Sequence, residues 1–159
     1  MQTLQLKNAE FLPHVCELVK EGHRVSLRAK GNSMRPFIES DRDVAVLTDC
    51  SDYKVGDVVL AEISKGHYVL HRIDRLEGQN VTLRGDGNVA GTEHCTVSDI
   101  RAVTCQIIRK GKTWNLSTSR IWKIYSKVWV RLLPARRYLL AIYRLVFRRE
   151  IPRRLRFWR

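Results

Sequence analysis

Hydrophobic positions change their spacing twice along the chain, and each change marks a different kind of structure. Between residues 8 and 22 the apolar side chains recur every three or four positions, which is the spacing of one face of an α-helix. Asn8 is a suitable N-cap, Pro13 lies close enough to the first turn to be tolerated, and Gly22 ends the run. The pattern predicts a short amphipathic helix with an apolar face formed by Phe11, Leu12, Val15, Leu18 and Val19.

The segment from residue 24 to residue 108 has the pattern of β-strands. Val25, Leu27 and Ala29 alternate with polar residues, and glycine-containing turns follow at regular intervals. Many short strands of this kind favour a mainly β protein with a small, partly closed β structure. Short apolar runs between the turns predict further strands at 43–47, 57–61, 68–70, 81–83 and 102–108.

Helical spacing returns at residue 119. Apolar residues from Ile121 to Leu133 form one broad face, a second apolar run covers 138–147, and Pro134 breaks or kinks the segment between them. The chain is therefore predicted to consist of an N-terminal helix, a β domain and a basic, aromatic helical tail, at 1–23, 24–110 and 111–159.

The net charge of +13 is concentrated in the tail. Residues 109–159 hold 16 Lys/Arg and one acidic residue, whereas residues 1–108 hold 13 Lys/Arg and 15 acidic residues. This asymmetry indicates a nearly neutral domain joined to a strongly cationic segment that has a different role.

The cysteine spacing and the N-terminal sequence indicate the redox environment and the cellular location to expect for the protein. The four cysteines lack metal-ligand spacing, and we expect reduced thiols, as in a cytosolic protein, with no metal site and no cofactor. The N-terminus lacks the pattern of a signal peptide, and no apolar stretch reaches the ~20 residues that a membrane-spanning helix needs. The expected location is cytoplasmic or peripheral to a membrane.

Ser33 lies in a turn bounded by glycine and proline, within residues 31–36 (GNSMRP), and His71 and Asp86 follow it in order. A serine becomes a nucleophile only when a neighbouring base takes its proton, and that base needs an acid to orient it. Histidine suits the role of base because its imidazole exchanges a proton near neutral pH. The order predicts a serine hydrolase; a turn serine and a half-buried strand histidine are the structural alternative, and His67 is a lesser candidate for the base.

Two residues compete for the role of the acid. Asp86 lies in an Asp-Gly pair, which is also a common hairpin signal, and Glu93 follows shortly after it. Asp57 is interpreted as a turn cap, and Met34 is expected to pack beneath the turn that carries the nucleophile. The remaining candidates for pocket or structural roles are Pro36, Gly56, Arg72 and Gly85.

These residues fall into four sequence boxes that resemble those of the S24/S26 serine peptidases. The boxes are 31–36 (GNSMRP), 54–59 (KVGDVV), 68–73 (YVLHRI) and 83–88 (LRGDGN), and the resemblance covers about residues 24–108. It implies the β fold of that family and an endopeptidase that cleaves after small residues through an acyl-enzyme.

Within that family the chain resembles type I signal peptidases of the endoplasmic-reticulum and archaeal branch. His71 stands where typical bacterial signal peptidases and SOS-type repressors have lysine. The resemblance implies a peptide or precursor-protein substrate, derived from exported or modified precursors.

The chain departs from this pattern at two points. No N-terminal membrane helix precedes the boxes, and the position six residues beyond Asp86, where these enzymes carry an acid, is Thr92. Both departures motivate the alternative of a catalytically silent module on the same fold that binds a peptide, a membrane or a partner. A self-cleaving regulator of the SOS-repressor kind is disfavoured, because the segment before residue 24 is too short for a helix-turn-helix domain.

The basic tail admits three interpretations. As an anchor on an anionic membrane surface, its aromatic residues would lie at the headgroup level and its arginines would meet lipid phosphates. As a nucleic-acid face it lacks a base-reading motif, so this partner is unlikely. The third interpretation is a solvated helical cap or a partner-binding surface. The residues assigned to the membrane surface are Trp122, Trp129, Arg136, Arg137, Arg148 and Arg149.

Overall fold

One antiparallel sheet of eight strands forms the centre of the computed structural model, which describes residues 8–49 and 51–147. The helices are α1 (Asn8–Lys20), α2 (Arg120–Arg131) and α3 (Leu133–Phe147), and a 3₁₀ turn spans Val97–Asp99. The strands are β1 (Val25–Arg28), β2 (Asp43–Thr48), β3 (Val58–Ser64), β4 (His67–Glu77), β5 (Asn80–Arg84), β6 (Glu93–Thr96), β7 (Ile100–Arg109) and β8 (Lys112–Asn115).

The strands follow the order β1-β2-β7-β3-β4-β5-β6, and β8 pairs with β7. β1 and β6 end this path, so the sheet is not closed among the described residues. The mainly β class is confirmed, as are the short N-terminal helix and the helical C-terminal extension. The β7–β8 hairpin crosses residue 110, so the sheet continues past the domain boundary that the sequence predicts.

α1 covers the sheet with most of the face that its sequence spacing predicts, but Leu18 is exposed. Leu12, Val15 and Val19 are buried and pack against Leu47 and Leu60 of the strands. Burial of a large aliphatic side chain stabilises a fold by about 1.5–3 kcal/mol, so this contact is a principal attachment of the helix.

A second apolar cluster joins the segment that carries Ser33 to the C-terminal part of the chain. Met34 and Ile38 are buried with Val58 and Ile107, and Phe37 and Trp122 pack against the same cluster. A third cluster lies between the central strands and the β5–β6 end of the sheet, and comprises Val59, Ala61, Ile73, Val81, Leu83 and Ile100.

The C-terminal helices pack on the β domain rather than extending from it. Ser119 caps α2 by accepting a hydrogen bond from the Trp122 amide, and Pro134 lies in the first turn of α3, where it is tolerated. Trp129 is 6% exposed and Arg136 is 1% exposed. No helix in the described ranges is long and apolar enough to cross a membrane.

Candidate active site

Ser33 lies in a turn that is anchored to the apolar core by the side chain of the next residue, Met34. Gly31 has a φ of +91°, a left-handed conformation that glycine adopts without strain. The carbonyl oxygen of Met34 accepts hydrogen bonds from the amides of Phe37 and Ile38, at 3.0 and 2.9 Å. The Met34 side chain is 4% exposed, so it packs beneath this turn, and the Arg35–Pro36 peptide is cis.

The loop after β5 supports the Ser33 turn through direct backbone contact. The Gly87 amide donates a 2.7 Å hydrogen bond to the Ser33 carbonyl oxygen. A Cβ at Gly85 would lie 2.4 Å from that same oxygen, and a Cβ at Gly87 would lie 2.9 Å from the Asn32 carbonyl oxygen. Glycine is therefore required at both positions by the close approach of the two chains.

His71 is hydrogen-bonded to Glu93. Nδ1 of the imidazole lies 2.8 Å from Oε2 of Glu93. His71 lies on β4 and is 5% exposed, whereas Glu93 begins β6; β5 pairs with both strands and so brings the two residues together. Because Nδ1 is engaged by the carboxylate, Nε2 is the nitrogen left to accept a proton.

Ser33 and His71 line the same cleft, whose volume is ≈ 710 Å³. β1, the loop after it and the first half of β4 form its other walls. Within the described residues no hydrogen bond joins Ser33 to His71. Catalytic hydrogen bonds are often long in enzymes without substrate and shorten when substrate binds.

Asp86 is fully engaged by Arg72. Nε and Nη2 of the guanidinium donate to the two carboxylate oxygens, at 2.7 and 2.6 Å, and both side chains are buried. The expectation that Asp86 orients the histidine is therefore corrected: the acid in contact with His71 is Glu93. Asp86 instead ties the glycine loop that supports Ser33 to β4.

Arg72 also joins α2 to the site. Its Nη1 donates to the Gly56 carbonyl oxygen and to Ser126 Oγ, both at 2.7 Å. The guanidinium lies 5.1 Å from the Trp122 ring and 5.8 Å from the Tyr125 ring, within the range of cation–π attraction. Burial opposes the charge of Arg72, but the carboxylate of Asp86 outweighs it and raises the Arg72 pKa.

The turn before β3 is shaped by the same contacts. Gly56 has a φ of +100°, and a Cβ there would lie 3.2 Å from the Ser126 Cβ. Asp57 Oδ2 accepts a 2.9 Å hydrogen bond from the Lys54 amide, so its carboxylate caps the turn. Burial raises the pKa of Asp57 above its ordinary value.

Several functional contacts were not found from the sequence. Ser126 and Tyr125 contact Arg72 although they lie more than fifty positions away in the sequence, so no local sequence pattern could predict these contacts. The sequence indicated Glu93 only weakly, because it lies next to Thr92, the position at which the signal peptidases that the chain resembles carry an acid. His67, the lesser candidate for the base, lies exposed at the start of β4.

The residues that the sequence assigns to a membrane surface separate into three groups. Trp129 and Arg136 are buried against the protein, and Trp122 is half-buried; this burial corrects their assignment to a membrane. Arg137 is exposed, whereas Arg148 and Arg149 lie outside the described residues. Among the described residues no group of three or more His, Cys, Asp or Glu could hold a metal ion.

A sequence model of the Peptidase S24-like family matches residues 2–111. The match covers more than half of the chain, and the chain belongs to this family. Membership indicates a hydrolase of the serine-peptidase kind or a related protein on the same fold. No curated protein matches the chain. α2 and α3 lie beyond the matched residues, although α2 contacts the arginine that organises the site.

Proposed function

We propose that the protein is a serine endopeptidase similar to the histidine-type signal peptidases, with Ser33 as nucleophile, His71 as base and Glu93 as the acid that orients the base. The observation that carries the proposal is the 2.8 Å contact between His71 and Glu93 beside the cleft that Ser33 lines. The substrate class is a peptide precursor, exported or modified.

In this mechanism Ser33 Oγ attacks the carbonyl carbon of the scissile bond while its proton moves to Nε2 of His71. The tetrahedral intermediate collapses to an acyl-enzyme, and His71 gives the proton to the leaving amine. Water then attacks the ester carbon while His71 takes its proton; the bond to Ser33 Oγ breaks, the acid product leaves, and His71 returns the proton to Ser33 Oγ. Glu93 stabilises the imidazolium that forms in each half-reaction.

The backbone amides of Ser33 and Met34 supply the hydrogen-bond donors for the oxyanion. Neither amide donates a hydrogen bond to another described residue, whereas the next amide, that of Arg35, donates to the Asn32 carbonyl oxygen. A donor of this kind contributes about 3 kcal/mol to transition-state stabilisation.

The cleft suits a peptide in extended conformation. β1 pairs with β2 on one side only, and residues 67–71 of β4 have no ladder partner on the side toward β5. Both free edges line the cleft with Ser33 and His71. A substrate strand that pairs with such an edge gains main-chain hydrogen bonds, and the resemblance to signal peptidases adds a preference for small side chains before the cleaved bond.

Labelling by a fluorophosphonate probe tests the proposal. We expect wild-type protein to be labelled, Ser33→Ala and His71→Ala to be unlabelled, and Ser26→Ala, which removes another serine lining the cleft, to be labelled as wild type. A folded protein that no probe labels would instead support the catalytically silent binding module, which the absence of a Ser33–His71 hydrogen bond favours.

A further inference from the structure

The C-terminal helices expose several large apolar side chains that the β domain does not cover. On α2 these are spaced three and four residues apart, and on α3 they follow the same spacing, so each set forms one face. Ile121 is 76% exposed, Leu145 is 70% exposed and Val146 is 62% exposed. We name this set the apolar stripe; it consists of Ile121, Ile124, Val128, Tyr138, Leu139, Ile142, Leu145 and Val146.

Exposed cations lie beside the apolar stripe on both helices. They are spaced three or four residues apart on α2, so they share a face that is neither the buried face nor the apolar one. No acidic residue occurs between 120 and 147, and the sequence continues with six arginines and one acid over 148–159. We name the exposed cations the basic stripe; it consists of Arg120, Lys123, Lys127, Arg131, Arg137 and Arg144.

We propose that α2 and α3 lie flat on an anionic bilayer surface, with the apolar stripe at the headgroup boundary and the basic stripe against lipid phosphates. Such a surface suits both stripes, because the apolar side chains are buried at the headgroup boundary while the cations interact with the negative charge of the lipids. The long arginine and lysine side chains reach the phosphates while their stems lie along apolar surface.

The charge of the helices argues against other occupants. A symmetric pair of these chains would bring two basic stripes together without an acidic residue on either helix to compensate. Nucleic acid would satisfy the basic stripe but would leave eight apolar side chains in water.

The residues proposed to contact the membrane differ from those that the sequence assigned to it. Trp129 and Arg136 are buried: the Arg136 Nη2 donates a 2.8 Å hydrogen bond to the Trp129 carbonyl oxygen, and its Nη1 donates a 3.4 Å hydrogen bond to the Asn88 carbonyl oxygen in the loop after β5. This buried face attaches both helices to the peptidase domain while their opposite faces remain free. Membrane binding and catalysis therefore depend on different side chains, and each proposal can fail without the other.

Co-sedimentation with vesicles tests the membrane proposal. The full chain is mixed at low ionic strength with vesicles of phosphatidylcholine alone, or of phosphatidylcholine and phosphatidylglycerol in equal parts. We expect binding to the anionic vesicles and little binding to the neutral ones. Ser33→Ala should bind as wild type, which separates this result from the test of catalysis.

Two sets of substitutions assign the binding to the two stripes. The double variant Lys123→Gln/Lys127→Gln should bind anionic vesicles about 30-fold more weakly, at about fivefold for each lysine near the surface. The matched control Lys20→Gln/Lys65→Gln removes the same charge from exposed positions of α1 and the β3–β4 turn and should bind as wild type. The triple variant Ile121→Ser/Ile124→Ser/Leu145→Ser should bind about tenfold more weakly or worse.

Three outcomes would overturn the proposal. The first is equal binding of wild type to neutral and anionic vesicles, or no binding to either. The second is unchanged binding of the folded triple variant, which would indicate attraction to any polyanion. The third is a lipid-free dimer, detected by sedimentation velocity, that the triple variant dissociates, since a second copy would then occupy the stripe.

Discussion

Two neighbouring residues of β4, His71 and Arg72, each hold one acid, and the two pairs have different roles. Glu93 contacts the imidazole and remains partly exposed. Asp86 is buried with Arg72, where the guanidinium satisfies both of its oxygens. Asp86 lies against Arg72 with both of its oxygens, whereas the acid in contact with His71 is Glu93.

Substitutions of Glu93 and Asp86 should have different effects on probe labelling and on stability. We expect Glu93→Gln to lower the rate of probe labelling by about 10²- to 10⁴-fold with little change in stability, because the amide no longer stabilises the imidazolium. Asp86→Asn should destabilise the fold by about 3–5 kcal/mol, because Arg72 loses its buried countercharge. Labelling kinetics and urea denaturation measure the two effects; equal losses of stability would contradict the assignment.

Gly85 should not tolerate even a methyl group. In Gly85→Ala the new Cβ meets the Ser33 carbonyl oxygen at 2.4 Å, so the turn must shift and Ser33 must move relative to His71. We expect labelling to fall by at least tenfold. Gly91→Ala is the matched control, because a Cβ there meets nothing within 4 Å. Labelling of Gly85→Ala at the wild-type rate would show that the contact is not needed.

At the scale of elements, Asp43 joins two strands to the segment that carries Ser33. Its carboxylate accepts hydrogen bonds from Arg42, from Arg109 on β7 and from the Glu39 amide. Arg109 also donates to the Phe37 carbonyl oxygen, so the end of the Ser33 turn is held by the same cluster. Burial opposes the ionisation of Asp43, but these hydrogen bonds outweigh it and lower its pKa to about 2.

This pKa predicts an acid-dependent loss of stability. A carboxyl group whose pKa falls on folding stabilises the folded state above its ordinary pKa, and the effect is lost as the pH falls toward the folded value. We expect Asp43 to contribute about 2 kcal/mol at neutral pH and to lose it between about pH 4 and pH 2. Thermal unfolding against pH measures this, and Asp43→Asn should flatten that part of the profile; an unchanged slope would count against the cluster.

The contact between α2 and the β domain can also be tested by the stability of a variant. In Ser126→Ala the Arg72 guanidinium loses a 2.7 Å hydrogen bond in a buried setting, which costs about 1.5–3 kcal/mol for a charged donor. Ser117→Ala, an exposed position before α2, should cost nothing measurable. Denaturation midpoints compare the two, and equal stability would show that α2 is not held through Arg72.

At the scale of the whole molecule, the contacts of the candidate site extend beyond the residues that match the family. The match ends at residue 111, whereas Arg72 is enclosed by side chains from α2 and Glu39 accepts a hydrogen bond from Tyr143 on α3. These contacts make the C-terminal helices part of the structure that positions Ser33.

Truncation tests this extension directly. A chain ending at residue 118 should lose probe labelling and most of its stability, because it exposes the apolar residues beneath α2 and leaves Arg72 without its aromatic surroundings. Circular dichroism and labelling of the truncated chain measure both. Full labelling of the truncated chain would show that the family domain is complete without the helices.

The sequence by itself determined most of the secondary-structure elements and the residues from which a chemistry can be proposed. Local spacing was enough for α1 and for six of the eight strands, because helices and strands have different periods, whereas β6 and β8 were not predicted. The order of Ser33 and His71 suggested a nucleophile and its base. These features depend on near neighbours in the chain, which a sequence displays directly.

Only the tertiary structure decided which side chains meet. From the sequence Asp86 was the preferred partner of His71 and Glu93 the alternative, but the β4–β5–β6 pairing places Glu93 against the imidazole, and Asp86 pairs with Arg72. The helical tail has apolar residues on two faces, and sequence spacing does not tell which face the β domain covers. Burial of Trp129 and exposure of Ile121 settle that point, because both depend on contacts between segments far apart in the chain.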